Sequence, residues 1–136
     1  MPSFPINVAN VSANTNGVST IVTNNYATVA QANTHGEQRG AVIRVFSYNV
    51  QNQSNATANV SFTDSSNTTL LGPFQIPPST GNWTERASPP GFLFETTRSN
   101  TTFVGTNLQI TTNSTGPFQA EVEWCYSFVP GRIANG

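Results

Sequence analysis

The residues able to do chemistry are few and scattered. One histidine, His35, sits in the polar run His35-Gly36-Glu37-Gln38-Arg39-Gly40 with no Ser or Cys beside it to activate, so it reads as a solvated loop histidine. One cysteine, Cys125, falls inside a strand-like run. As a nucleophile it would need a depressed pKa; as a small strand residue it needs nothing. With a single cysteine an intramolecular disulfide is impossible, which excludes a disulfide-stapled scaffold. Glu121 and Glu123 stand two apart, which points both carboxylates to one side of a strand. Such a pair could do acid–base work or bind a hard cation. No third carboxylate accompanies them locally, and the solvated outer face of an edge or terminal strand accounts for them, because charge there blocks unwanted strand pairing. There is no Cys or His pair at zinc spacing and no phosphate-cradling glycine loop. The expectation is a protein with no catalytic residues, no metal and no cofactor.

The remaining candidates work by contact. Trp83, between Asn82 and Thr84, reads as a loop residue, and Phe92 follows the turn Pro89-Pro90-Gly91. Exposed aromatics in polar loops stack on sugars or plug a pocket on a neighbour, and Trp83 reads equally as an anchor for its own core or loop. Phe4, Pro5, Ile6 and Val8 form the only apolar cluster before residue 18. They dock on another surface or cap the protein's own core.

These residues need elements to hold them, and the elements read as strands. Phe118, Ala120, Val122, Trp124, Tyr126 and Phe128 alternate with polar residues and Cys125, which predicts a long strand with one core face. Ala56 to Thr63 shows the same period of two. Val42 to Val50 is apolar on both faces for much of its length, as a central strand would be. Further strands are predicted at Thr69 to Ile76, bent at Gly72-Pro73, at Gly91 to Thr96, and around Leu108 and Ile110. Asp64-Ser65-Ser66-Asn67 reads as a turn. Residues 1–40 are polar and weakly periodic, with short strands possible at Val18 to Val22 and Tyr26 to Ala30. No window has a helical period with caps. The expected fold is all-β, an antiparallel β-sandwich or jelly roll of about six to eight strands. Residues 1–40 would be an extended N-terminal arm and 41–136 the sandwich domain.

Composition narrows the partners. A chain of 136 residues suits one domain. Thr, Asn and Ser number 19, 17 and 13, together 49 of 136, while only 8% of residues are charged and none is lysine. An ordinary domain is about 25% charged. Phosphate binding needs a basic patch, and so does electrostatic membrane binding; neither nucleic acid nor a membrane is expected as a partner. Low net charge does little to keep monomers apart, which suits a chain packed beside copies of itself. Eight Asn-x-Ser/Thr sequons occur, at Asn10, Asn52, Asn55, Asn59, Asn67, Asn82, Asn100 and Asn113. This composition alone gives about four by chance, so they are read as composition rather than glycosylation. The start, Met1 to Ile6, has no basic n-region and no long apolar run, so the expectation is synthesis in a host cytoplasm and delivery by assembly.

From Ala41 onward the order of features resembles a known group. Ala41-Val42-Ile43-Arg44-Val45-Phe46-Ser47-Tyr48 is followed by Val60-Ser61-Phe62-Thr63-Asp64-Ser65 and Leu70-Leu71-Gly72-Pro73-Phe74. Then come Pro90-Gly91-Phe92-Leu93-Phe94-Glu95-Thr96, Asn107-Leu108-Gln109-Ile110 and Glu121-Val122-Glu123-Trp124-Cys125-Tyr126. This succession is similar to small β-sandwich virion proteins of tailed phages, some of them head decoration (cement) proteins. The resemblance implies a place on the capsid surface of a virion, with the major capsid protein as partner and a homo-oligomer, a trimer, as the working form. It transfers no catalytic residue. On this reading Phe4, Pro5, Ile6 and Val8 grip the shell or a sister subunit. The alternative is a receptor- or carbohydrate-binding module of a tail fibre or adhesin, with Trp83 and Phe92 making the contacts. A small glycan hydrolase would need a second carboxylate about 5–10 Å from Glu121 or Glu123.

Overall fold

Branched and aromatic residues at a spacing of two bury one face of a strand and leave the other wet, so two such sheets must close on each other. The computed structural model describes residues 6–13, 17–28, 40–79, 81–88, 91–98, 105–113 and 117–128. Its strands are β1 (Asn7–Ala13), β2 (Gly17–Val22), β3 (Ala41–Asn52), β4 (Ala58–Asp64), β5 (Thr69–Ile76), β6 (Gly81–Arg86), β7 (Phe94–Glu95), β8 (Leu108–Thr112) and β9 (Phe118–Phe128). One sheet runs β1-β9-β3-β6, with β7 beside the start of β3; the other runs β2-β8-β4-β5. Every pairing is antiparallel.

The pairings are nested. Leaving aside the two-residue β7, the first strand pairs with the last, the second with the next to last, the third with the sixth and the fourth with the fifth. One long hairpin folded over in this way is a jelly roll. The expected sandwich is therefore present. The stretch ahead of residue 40 supplies an edge strand to each sheet, β1 to one and β2 to the other. The strand expected over Gly91 to Thr96 narrows to Phe94–Glu95. Tyr26 lies in a turn, and Val29 and Ala30 fall outside the described residues.

The core lies between the sheets. Ile43, Val45, Val50, Phe118 and Val122 come from one side, and Val60, Phe62, Ile76, Leu108 and Ile110 from the other, each fully buried or nearly so. Each such side chain contributes roughly 1.5–3 kcal/mol. A register shift in β3 between Val45 and Ser47 changes which positions face inward. Ile43 and Val45 are buried before it, Tyr48, Val50 and Asn52 after it. One extra residue at Phe46 thus moves the inward set from odd to even numbers.

Buried polar side chains fix the loops. Asp64 Oδ1 accepts from Ser66 N (3.0 Å), Ser66 Oγ (2.6 Å) and Thr68 N (3.2 Å). Its Oδ2 accepts from Thr97 N (3.0 Å) and Thr97 Oγ1 (2.6 Å). The turn residue of the sequence is thus a clamp between the β4–β5 turn and the chain after β7. Asn24 Nδ2 donates to Ala41 O (2.9 Å) and Thr106 O (3.0 Å), tying the end of β2 to the starts of β3 and β8. Gly105 sits against this clamp; a Cβ there would lie 1.9 Å from Ala41 O. Asn52 Nδ2 reaches the carbonyls of Ala56 (2.8 Å), Ile76 (3.0 Å) and Pro77 (3.0 Å). That geometry removes the Asn52 sequon from any chemistry at its amide.

Candidate functional site

Trp83 lies in β6, not in a loop. It stands opposite Val50 of β3, whose side chain points into the core. Its ring stacks on Phe74 of β5, with centroids 5.0 Å apart and planes 20° apart. Its Nε1 donates to Tyr48 Oη at 2.9 Å, and the Tyr48 hydroxyl donates onward to Glu85 Oε1. Burial, with the Glu85 hydrogen bond, pushes the Tyr48 phenol well above its usual range. Trp83 remains 41% exposed. It therefore closes the gap between the two sheets on the β5–β6 side, with part of its ring facing solvent.

Phe92 precedes β7 and is 37% exposed. The Arg44 guanidinium sits 4.3 Å from its ring centroid, while Arg44 Nε pairs with Glu95 Oε2 at 2.9 Å. The two sugar-contact candidates are thus engaged by their own chain. Phe4 and Pro5 lie outside the described residues, as does His35. Ile6 and Val8 are exposed, at 52% and 58%. Val8 stands opposite Glu123, on the outer side of β1, whereas Ala9 and Val11 pack against the core.

Glu121 and Glu123 require a correction. They were expected on an edge or terminal strand, but β9 lies between β1 and β3 in the interior of its sheet. Their carboxylates are solvated because the outer face of the sheet is wet, not because the strand is an edge. Glu123 accepts from Ser47 Oγ and pairs with Arg86 Nη1 at 2.8 Å. A shallow depression of about 500 Å³ over this face is lined by Ser47, Asn49, Arg86, Glu85, Glu121 and Glu123, among others. Glu85 of β6 also borders the depression, but it stands opposite inward-facing Tyr48 and its Oε1 accepts from the Tyr48 hydroxyl, so its carboxylate does not join the Glu121–Glu123 pair. Among the described residues no group of three His, Cys, Asp or Glu side chains is placed to hold a metal ion. Burial raises the Cys125 thiol pKa, against a smaller lowering by Arg44, so the thiol is a poor nucleophile.

No protein-family model matches the chain, and no curated protein sequence matches it significantly. Solved structures do match. A chain of the extra small virus (XSV) virus-like particle of the giant freshwater prawn Macrobrachium rosenbergii is similar over 93% of this chain and 80% of its own, at 11% identity and a TM-score of 0.37. A chain of sacbrood virus of honeybee, in expansion state II, is similar over 98% of this chain and 96% of its own, at 11% identity and a TM-score of 0.31. Likeness at these levels decides nothing about function; the molecule's own surface has to.

That surface divides by charge. Among the described residues, the outer positions of β2, β8, β4 and β5 carry Val18, Thr20, Gln109, Thr111, Ser61, Thr63 and Gln75, none of them charged. Thr63 and Thr111 bond hydroxyl to hydroxyl at 2.9 Å. The other sheet holds Arg44, Arg86, Glu121 and Glu123 on its outer face. Among the described residues the outer faces of the two sheets therefore differ, one carrying charged side chains and the other none. Among the described residues no helix is long and apolar enough to cross a membrane.

Proposed function

We propose that the chain is a structural part of a virus particle. In its specific form the proposal is a tailed-phage head decoration (cement) protein that bridges copies of the major capsid protein, working as a trimer. The observation that carries it is the surface: a jelly roll in which, among the described residues, one sheet has no charge on its outer face, with exposed Ile6 just before β1, Val8 in β1 and Val18 in β2. Depletion of charge marks the buried centre of protein interfaces. The succession of motifs from Ala41 to Tyr126 supports the same reading. The mechanism is mechanical: each contact made only in the assembled shell stabilises it over free subunits.

The tail-fibre or adhesin reading rests on Trp83 and Phe92. One face of the Trp83 ring and its N–H are taken up by Phe74 and Tyr48, and the Phe92 ring carries Arg44. The geometry favours the first reading. Tailed-phage heads of the source virus stripped of the chain provide the test. Adding purified chain should raise the temperature at which the heads release DNA. Heads whose melting is unchanged at saturating chain would overturn the decoration role.

A further inference from the structure

The free edges of the two sheets are not alike. A sheet edge exposes unpaired N–H and C=O groups, and proteins protect such edges with charge, proline, bulges or shortness. Strand β5 carries Pro73 and two register shifts in its pairing with β4. Strand β6 ends in exposed Glu85 and Arg86, and β7 has two residues. Strand β2 is interrupted by a shift between Thr20 and Val22. Strand β1 has none of these devices. Its seven residues, Asn-Val-Ala-Asn-Val-Ser-Ala, pair with β9 in unbroken register and include no charge and no proline. Among the described residues its other edge is hydrogen-bonded to no strand.

We infer that β1 pairs antiparallel with β1 of a second copy, joining two sheets into one across a twofold axis at Asn10. This extends the assembly reading above by naming the partner of the Ile6–Val8 segment. A second copy fits because the strand is self-complementary. Centring the pair on Asn10 sets Ala9 against Val11 on the core side and Val8 against Ser12 on the outer side. Two Asn10 amides then meet, each able to donate and accept. Neither strand brings a charge to the axis, so no like charges oppose each other. The contact is isologous, so it joins copies in twos. It links one threefold cluster to the next rather than building one.

The test is the solution mass of the full chain by light scattering over a wide concentration series. Wild type should form assemblies with an even number of copies, and backbone amides of β1 should gain exchange protection as they form. Asn10→Lys places two cations at the axis. In the monomer its ammonium faces Glu121, its neighbour on β9, so the fold is kept. It should weaken association about tenfold. Val8→Lys, also exposed, should do the same, while Asn82→Lys on the β6 edge should change nothing. A monomer at every concentration overturns the inference. So does a trimer indifferent to Asn10→Lys, though that result leaves the decoration role standing, to be judged by the melting of heads.

Discussion

Trp83 of β6 and Tyr48 of β3 are joined by a 2.9 Å hydrogen bond from the indole Nε1 to the phenol oxygen. The bond lies where the two sheets would otherwise gape on the β5–β6 side, and Phe74 of β5 supplies the stacking surface. It ties an edge tryptophan that is 41% exposed to the buried Tyr48, so the ring is anchored by its own chain rather than free.

Trp83→Ala removes the stack and leaves the Tyr48 hydroxyl without its donor. A half-exposed tryptophan loses less than a buried one, so the cost should be about 2 kcal/mol in urea unfolding. Trp83→Phe keeps the stack and should cost about 1 kcal/mol. A loss below about 0.5 kcal/mol for Trp83→Ala would mean the ring is a surface feature.

Asp64 should make the protein acid-sensitive. Burial alone raises its pKa, but the hydrogen bonds from Ser66 and Thr97 outweigh burial and hold it below the usual carboxylate range. A carboxyl depressed on folding contributes stability that is present above its unfolded pKa of about 3.9 and lost as pH falls through the folded value. Thermal unfolding followed below about pH 4 should therefore show a loss that Asp64→Asn does not share. At neutral pH Asp64→Asn should cost about 2–3 kcal/mol, since its amide group meets the Thr97 donors.

Gly105→Ala should be among the costliest single-methyl changes. The added Cβ would meet Ala41 O at 1.9 Å and Asn24 Nδ2 at 2.6 Å, so β3 or the Asn24 clamp must move. About 3 kcal/mol is expected, measured by denaturant midpoint at constant slope.

Cys125 should alkylate slowly. Burial raises its pKa, so at neutral pH little thiolate exists. Iodoacetamide labelling of the native chain should run well behind that of the urea-unfolded chain. Equal rates would show an open, activated thiol.

Strands with one dry face were legible in the sequence. β9 and β4 announce themselves by strict alternation, and β3 by an apolar run suited to an interior strand. The nested order of strands was not legible, because long-range pairing leaves no local mark. Trp83 was misread for a physical reason. As an edge strand, β6 turns only Trp83 and Glu85 toward the core side, so Gly81-Asn82-Trp83-Thr84-Glu85-Arg86 looks like a polar loop. Glu121 and Glu123 were correctly set on one face, but nothing local told that β9 has a neighbour on each side. Asp64 looked like an ordinary turn former; its Thr97 partner lies 33 residues away.

The most direct test of the particle reading is co-sedimentation of the purified chain with stripped heads of the source virus through a density gradient. The account predicts saturable binding at a fixed number of copies per head, with the chain migrating in the head fraction. A chain that stays at the top of the gradient at every concentration would contradict it.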